Sequence, residues 1–166
     1  MKFYMKQKVM SFVDRFTIYD EFENEAYWVE GELFSFGKKL DLFDNNNTHK
    51  AHIHQKVLSF LPRFFIQING EDVAEVVKHF TLFNQKFTVT GYNWEIDGDF
   101  LAHEYDIYRG DYTIATISKE WFTWGDAYSV DIADGVDPVP ILSVVLIIDA
   151  ILAQSNNGIK FSINIG

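Results

Sequence analysis

The fold class that this sequence predicts is mainly β, a closed antiparallel barrel around a central hydrophobic C-terminal helix, and three observations predict it. From Lys2 to about Ser118, short aromatic and β-branched runs alternate with Gly, Asn and charged turns, with no long stretch of helical periodicity. Val139–Ala153 is apolar on every side, with Ser143 and Asp149 its only polar side chains, so as a helix it has no face for water. Ile159–Ile165 then alternates apolar and polar with period two, as a half-buried strand does. A helix without a polar face, delivered between strands of a β protein, fits inside a closed barrel, and closure also removes sheet edges.

Taken in order, the candidate strands are Phe3–Val9, Arg15–Phe22, Ala26–Leu33, Lys39–Phe43, Ala51–Ser59, Phe64–Ile68, Val76–Phe83, Phe87–Thr90, Trp94–Ile96, Ala102–Arg109 and Asp111–Ser118. Val73–His79 also admits a short helix. Asn24-Glu25, Asn69-Gly70, Asp97-Gly98 and Arg109-Gly110 supply hairpin turns, because Gly and Asn tolerate positive φ. Leu33–Leu42 and Trp121–Val130 echo one another: aromatic, hydroxyl, aromatic, Gly, then an alternating strand. Both are read as hairpins turning at the Gly. Asp137 is placed to cap the helix and Pro138 sits where a first turn accepts proline, while Ser155-Asn156-Asn157-Gly158 supplies a stop signal. About 15 residues at roughly 1.5 Å each give a rod of about 22 Å, short of the roughly 30 Å of a hydrocarbon core. The helix is therefore expected to be a core element and not a transmembrane segment.

With 166 residues and 48% of them hydrophobic, the chain can fill one core, and 1–166 is expected to be a single domain. A formal net charge of −10 repels phosphate backbones, which excludes general nucleic-acid binding. The absence of Cys excludes a disulfide framework, thiolate catalysis and thiolate metal sites. Met1–Lys8 lacks the continuous apolar stretch of a signal peptide, so a cytoplasmic location is expected.

The turn Phe34-Ser35-Phe36-Gly37-Lys38-Lys39-Leu40, the segment Ile117–Tyr128 and the late apolar helix carrying Ile148-Asp149 resemble those of the LURP-one-related proteins. That family is similar to the tubby C-terminal-like group, which includes the phospholipid scramblases. The resemblance covers essentially the whole chain and implies a barrel of about 12 strands, threaded by a hydrophobic helix that joins the last two. It also implies contact with phospholipids, through exposed basic residues in tubby-like relatives and with calcium in scramblases. Those basic positions have no residue-by-residue match here, and the Pro-rich tail and acylated cysteines of scramblases are absent.

Few residues stand out as chemical. His52 and His54 point to one side of an extended strand, with His49 nearby, so two imidazoles could share a Zn²⁺ or Ni²⁺. No carboxylate lies at a suitable sequence spacing, and exposed strand histidines are the reading adopted. Asp149 is awkward near a helix C-terminus in apolar surroundings; it is expected at the barrel mouth or bonded to loop N–H groups, with a functional buried acid as the alternative. The acid pairs Asp97 with Asp99 and Asp134 with Asp137 lack calcium-loop register. Lys38, Lys39 and Arg63 are candidates for a small anion patch, and Trp121-Phe122-Thr123-Trp124 for an exposed aromatic cluster or part of the core. No nucleophile, phosphate-loop or zinc-protease motif occurs. Catalytic, cofactor and metal residues are accordingly all expected to be none. The function expected is a non-enzymatic binding or scaffold domain taking a phospholipid headgroup or a protein partner. The alternatives are a regulatory or stress-associated protein without a small ligand, and an enzyme with a site scattered over the strands.

Overall fold

The structure is a computed structural model that describes residues 1–6, 15–32, 37–79, 86–122 and 125–163; for 6, 32, 121–122, 125–126 and 154–163 it describes the backbone. Twelve strands follow in order: β1 (Lys2–Lys6), β2 (Arg15–Asp20), β3 (Glu25–Glu32), β4 (Lys39–Asp44), β5 (His49–Gln55), β6 (Arg63–Ile68), β7 (Glu71–His79), β8 (Lys86–Thr90), β9 (Trp94–Asp99), β10 (Glu104–Arg109), β11 (Tyr112–Phe122) and β12 (Gly125–Ile132). Each pairs antiparallel with its sequence neighbours, and β1 closes the ring on β12 with Phe3 opposite Val130. The helix α1 (Pro138–Ile163) follows.

Alternation decides the inside. In β4, Leu40 and Leu42 are buried between more exposed neighbours; Ala51 and Ile53 of β5 and Phe64 and Ile66 of β6 continue the same face. Twelve strands about 4.8 Å apart and tilted near 40° give a barrel roughly 24 Å across, wide enough for a helix about 10 Å thick and one layer of inward side chains. The helix fills that space, since every residue from Val139 to Leu152 is buried. Its start is fixed by Asp137, whose Oδ1 accepts the Val139 N–H at 3.0 Å.

Because successive strands reverse direction, the barrel has two rims. At the entry rim β12 ends and α1 begins; the turns at 21–24, 45–48, 69–70, 91–93 and 110–111 lie there. The other is the exit rim, toward which the helix runs and where the joins from β5 to β6 and from β9 to β10 lie.

Several expectations change. Ile159–Ile163 belong to the helix, so the final strand expected over Ile159–Ile165 does not form there; residues 164–165 lie outside the described ones. The stop signal at Ser155–Gly158 does not end the helix, and α1 follows the last strand of the sheet instead of joining the last two. The physical reason is closure: β12 already occupies the place beside β1, leaving no free edge for another strand. Asp97-Gly98 is no turn but the end of β9 against β10. Gly98 has φ +138, and a Cβ there would lie 2.4 Å from the Glu104 carbonyl oxygen, so glycine allows close strand approach. Asn69-Gly70, with φ of 53 and 83, is a hairpin turn as expected. Glu71–His79 is strand throughout, not a short helix, and the strand expected over Ala51–Ser59 stops at Gln55. Of the echo, Gly37 sits in a turn whereas Gly125 begins β12; residues 33–36 and 123–124 lie outside the described ones.

Candidate functional site

Two groups of polar residues stand out, one inside the wall toward the exit rim and one on its outer face. The inner group surrounds Asp149. Its Oδ1 accepts from His103 Nε2 at 3.1 Å, its Oδ2 accepts from the Tyr128 hydroxyl, and the His103 and Tyr128 rings stack with centroids 4.5 Å apart. His103 comes from the join between β9 and β10, where its φ of 56 is a left-handed conformation that histidine tolerates better than most residues. Burial, reinforced by the Asp149 carboxylate, pushes both Tyr105 and Tyr128 well above the ordinary tyrosine range. One residue further along the helix, Lys38 Nζ donates to the Ala150 carbonyl at 3.0 Å, and burial pulls its pKa down to about 8. Asp149 thus lies toward the exit rim, but its donors are side chains, not the loop N–H groups expected. Since α1 runs on to Ile163, Asp149 is mid-helix and does not oppose a C-terminal dipole.

The outer group is organised by Asp41. Asp41 on β4 is in register with His52 on β5, and its Oδ1 sits 2.9 Å from His52 Nδ1 and 2.8 Å from His49 Nε2. Parity along a regular strand would put His49 on the opposite face from His52. A bulge between Leu42 and Phe43 shifts the register, so that Phe43 faces His49 and all three histidines share the outer face. Burial raises the Asp41 carboxyl, yet the bonds from His52 and His49 outweigh it and hold the group below the usual carboxylate range. His54 stacks between His52, 5.5 Å away, and Phe65, 5.3 Å away; its Nδ1 is buried with no hydrogen-bond partner among the described residues, and burial lowers its pKa. The missing carboxylate was therefore on the neighbouring strand, where no one-strand spacing rule could find it. Even so, no group of three or more metal-ligating side chains with suitable geometry occurs among the described residues.

Beside this row lies an open concavity of about 760 Å³ lined by Lys39, His52, His54, Gln55, Leu58 and Gln67, with Gly37 and Val57. The three basic residues marked in the sequence do not form one patch. Lys39 lines the concavity, Lys38 points into the barrel, and Arg63 is held by Glu75 at 2.7 Å. A second concavity, about 640 Å³, lies at the entry rim and includes Asp20, Glu21, Glu25 and Asp44. Asp20 and Asp44 are committed to turns: each Oδ1 accepts two backbone N–H groups of the loop that follows. Asp99 likewise accepts the N–H groups of Leu101 and Ala102.

A model of the family described as LURP-one-related matches residues 1–149. The chain belongs to the LURP-one-related family. Its relatives include the uncharacterised protein YxjI of Bacillus subtilis (strain 168), 40% identical over 152 residues that span 92% of this chain and 94% of that one. The X-ray structure of an Arabidopsis thaliana protein superposes with a TM-score of 0.61 at 20% identity, over 83% of this chain and 85% of the other, and so shares the fold. In this LURP-one-related barrel the Trp121–Trp124 cluster falls outside the described side chains. No described helix is long and apolar enough to cross a membrane.

Proposed function

We propose that this LURP-one-related domain is a non-catalytic binding module whose ligand is an anionic headgroup, a phosphate ester or a free carboxylate, seated in the concavity of Lys39, His52, His54 and Gln67. The observation that carries this is the charge of the lining. The chain has 24 acidic and 14 basic residues, yet no carboxylate lines this concavity, where Lys39 and His54 offer donors while His52 Nδ1 and the Gln67 amide are engaged by Asp41 and Asp72. The inner cluster is the arrangement most like an acid–base site. The side chains of His103 and Asp149 are only 11% and 5% exposed, which supports a packing role over turnover.

The test is binding of sn-glycerol 1-phosphate, and co-sedimentation with vesicles of phosphatidylglycerol in phosphatidylcholine, at low salt. Lys39→Glu should weaken both about tenfold, on the scale of about 1 kcal/mol per basic residue near an anionic surface plus the added repulsion, and salt should weaken the wild type. A wild-type protein that binds neither probe would sink the proposal.

A further inference from the structure

The join between β5 and β6 carries apolar side chains where a turn is ordinarily polar. Leu58 is 96% exposed and Phe60 94%, and Val57 beside them is 45% exposed. Single exposed apolar residues are unremarkable, but here they are gathered on one projecting connector. That connector is not slack. Lys56 N–H donates to the Arg63 carbonyl at 2.9 Å and Lys78 N–H to the Pro62 carbonyl at 3.0 Å, which pins its base. Val57 packs beside Gly37, where a Cβ would meet its methyl groups at 3.7 Å and 3.9 Å. Leu58 has φ +60, a left-handed conformation rare for a bulky residue. A backbone held in that form turns Leu58 outward.

Charge says what the tip faces. Lys39, His52 and His54 line the adjoining concavity, and exposed Lys56 opens the connector. The neighbouring carboxylates are engaged, Asp41 by His49 and His52, Asp72 by Gln67 and Glu75 by Arg63. At the strand ends of the opposite rim stand Asp20, Glu25, Asp44 and Glu71. An anionic surface would therefore draw Lys39 and Lys56 beside the connector toward itself and repel the acidic strand ends of the opposite rim. A convex tip of two large side chains is too small for a stable protein interface, which needs about 800 Å² on each partner. A bilayer interface accepts such a tip, because apolar residues can enter between headgroups while adjacent lysines stay at the phosphates.

We propose that Leu58 and Phe60 form an interfacial wedge that enters the headgroup region of an anionic bilayer, with Lys39 and Lys56 pairing with lipid phosphates around it. This rests on the headgroup reading above and assigns the source of the headgroup to a membrane. Because the chain has no Cys, Phe60→Cys takes a single environment-sensitive fluorophore, and Tyr112→Cys, at an exposed position at the entry-rim end of β11, serves as the control. With phosphatidylglycerol–phosphatidylcholine vesicles the label at 60 should shift to the blue and be quenched by lipids brominated in their acyl chains, while the label at 112 does neither. Phe60→Ser should lower co-sedimentation about tenfold, from lost apolar burial, and leave the far-UV spectrum and the affinity for sn-glycerol 1-phosphate unchanged. Vesicle binding with the label at 60 still in water would overturn the wedge and leave the headgroup reading standing. Binding of sn-glycerol 1-phosphate without vesicle binding would do the same. A blue shift without lipid that grows with protein concentration would assign the tip to a second copy of the chain and overturn the wedge.

Discussion

The two rims of the barrel are built from the same strands and use their polar residues differently. At the entry rim the side chains serve the chain itself: Asp20 and Asp44 tie down their own turns, Asp137 caps the helix, and the Met1 amine donates to the Ile132 carbonyl at 2.8 Å. At the exit rim Asp99 ties down its turn in the same way, but the described connectors also carry Lys56, Leu58 and Phe60 outward and His103 inward onto Asp149. Local turn chemistry stabilises a rim; side chains not needed for it are available for contact. The rims differ in this and not in the packing between them.

The largest effect should come from the part that both rims share. Val145→Asp places a carboxylate in the middle of the buried helix, 0% exposed, at a cost of several kcal/mol that approaches the whole stability of a domain, about 5–15 kcal/mol. Loss of soluble folded protein is expected; a folded, soluble variant would mean that the helix is not the core. Next, Asp149→Leu leaves the Tyr128 hydroxyl and the His103 ring without their acceptor near the exit rim, worth about 2–4 kcal/mol for two buried donors. Urea unfolding reads it, and a change below about 0.5 kcal/mol would show that the cluster reaches water.

Glycines compare the rims directly. Gly98→Ala, against the β10 backbone, should cost more than about 2 kcal/mol, whereas Gly110→Ala, where nothing lies within 4 Å of the new methyl, should cost only the conformational penalty of about 1–2 kcal/mol. Equal costs would mean that β9 relaxes away from β10. A smaller effect belongs to Lys38. The unfolded chain binds the Lys38 proton up to its ordinary pKa of 10.5 and the folded chain only up to about 8, so between these values the unfolded chain holds more protons and raising the pH favours folding. Relative to Lys38→Met, the wild type should therefore gain stability from pH 8 toward 10; parallel pH profiles by chemical denaturation would refute a buried Lys38. The smallest change in stability should be that of Leu58→Ser with Phe60→Ser, within about 0.5 kcal/mol, because their side chains touch little of the fold. A large loss in thermal unfolding would make the tip structural and erase the contrast between rims.

What could be read in advance follows the range of each interaction. The strands, the Asn69-Gly70 turn, the Asp137 cap and the buried Val139–Leu152 stretch rest on neighbours in sequence, and all were legible there. The Asp41–His52 pairing and the bulge that turns His49 to the same face depend on strand register, which a single strand does not specify. His103 meets Asp149 across 46 positions, and nothing local to either marks it. Ile159–Ile163 shows the reverse error: its alternation is that of a strand, but a strand needs a free edge, and closure between β1 and β12 leaves none.

Because α1 comes after all twelve strands, the wall of the barrel is synthesised before its filling. When β12 leaves the ribosome the inward row of Leu40, Ile53, Phe64, Val76 and Ile107 has nothing to pack against, and β1 must still find β12 across the length of the chain. Such non-local pairing is slow, and an emerging sheet with a bare apolar face is prone to association. The nascent chain therefore faces its greatest hazard just before its helix appears, and slowing translation over codons 133–152 should raise aggregation more than slowing it at any earlier point.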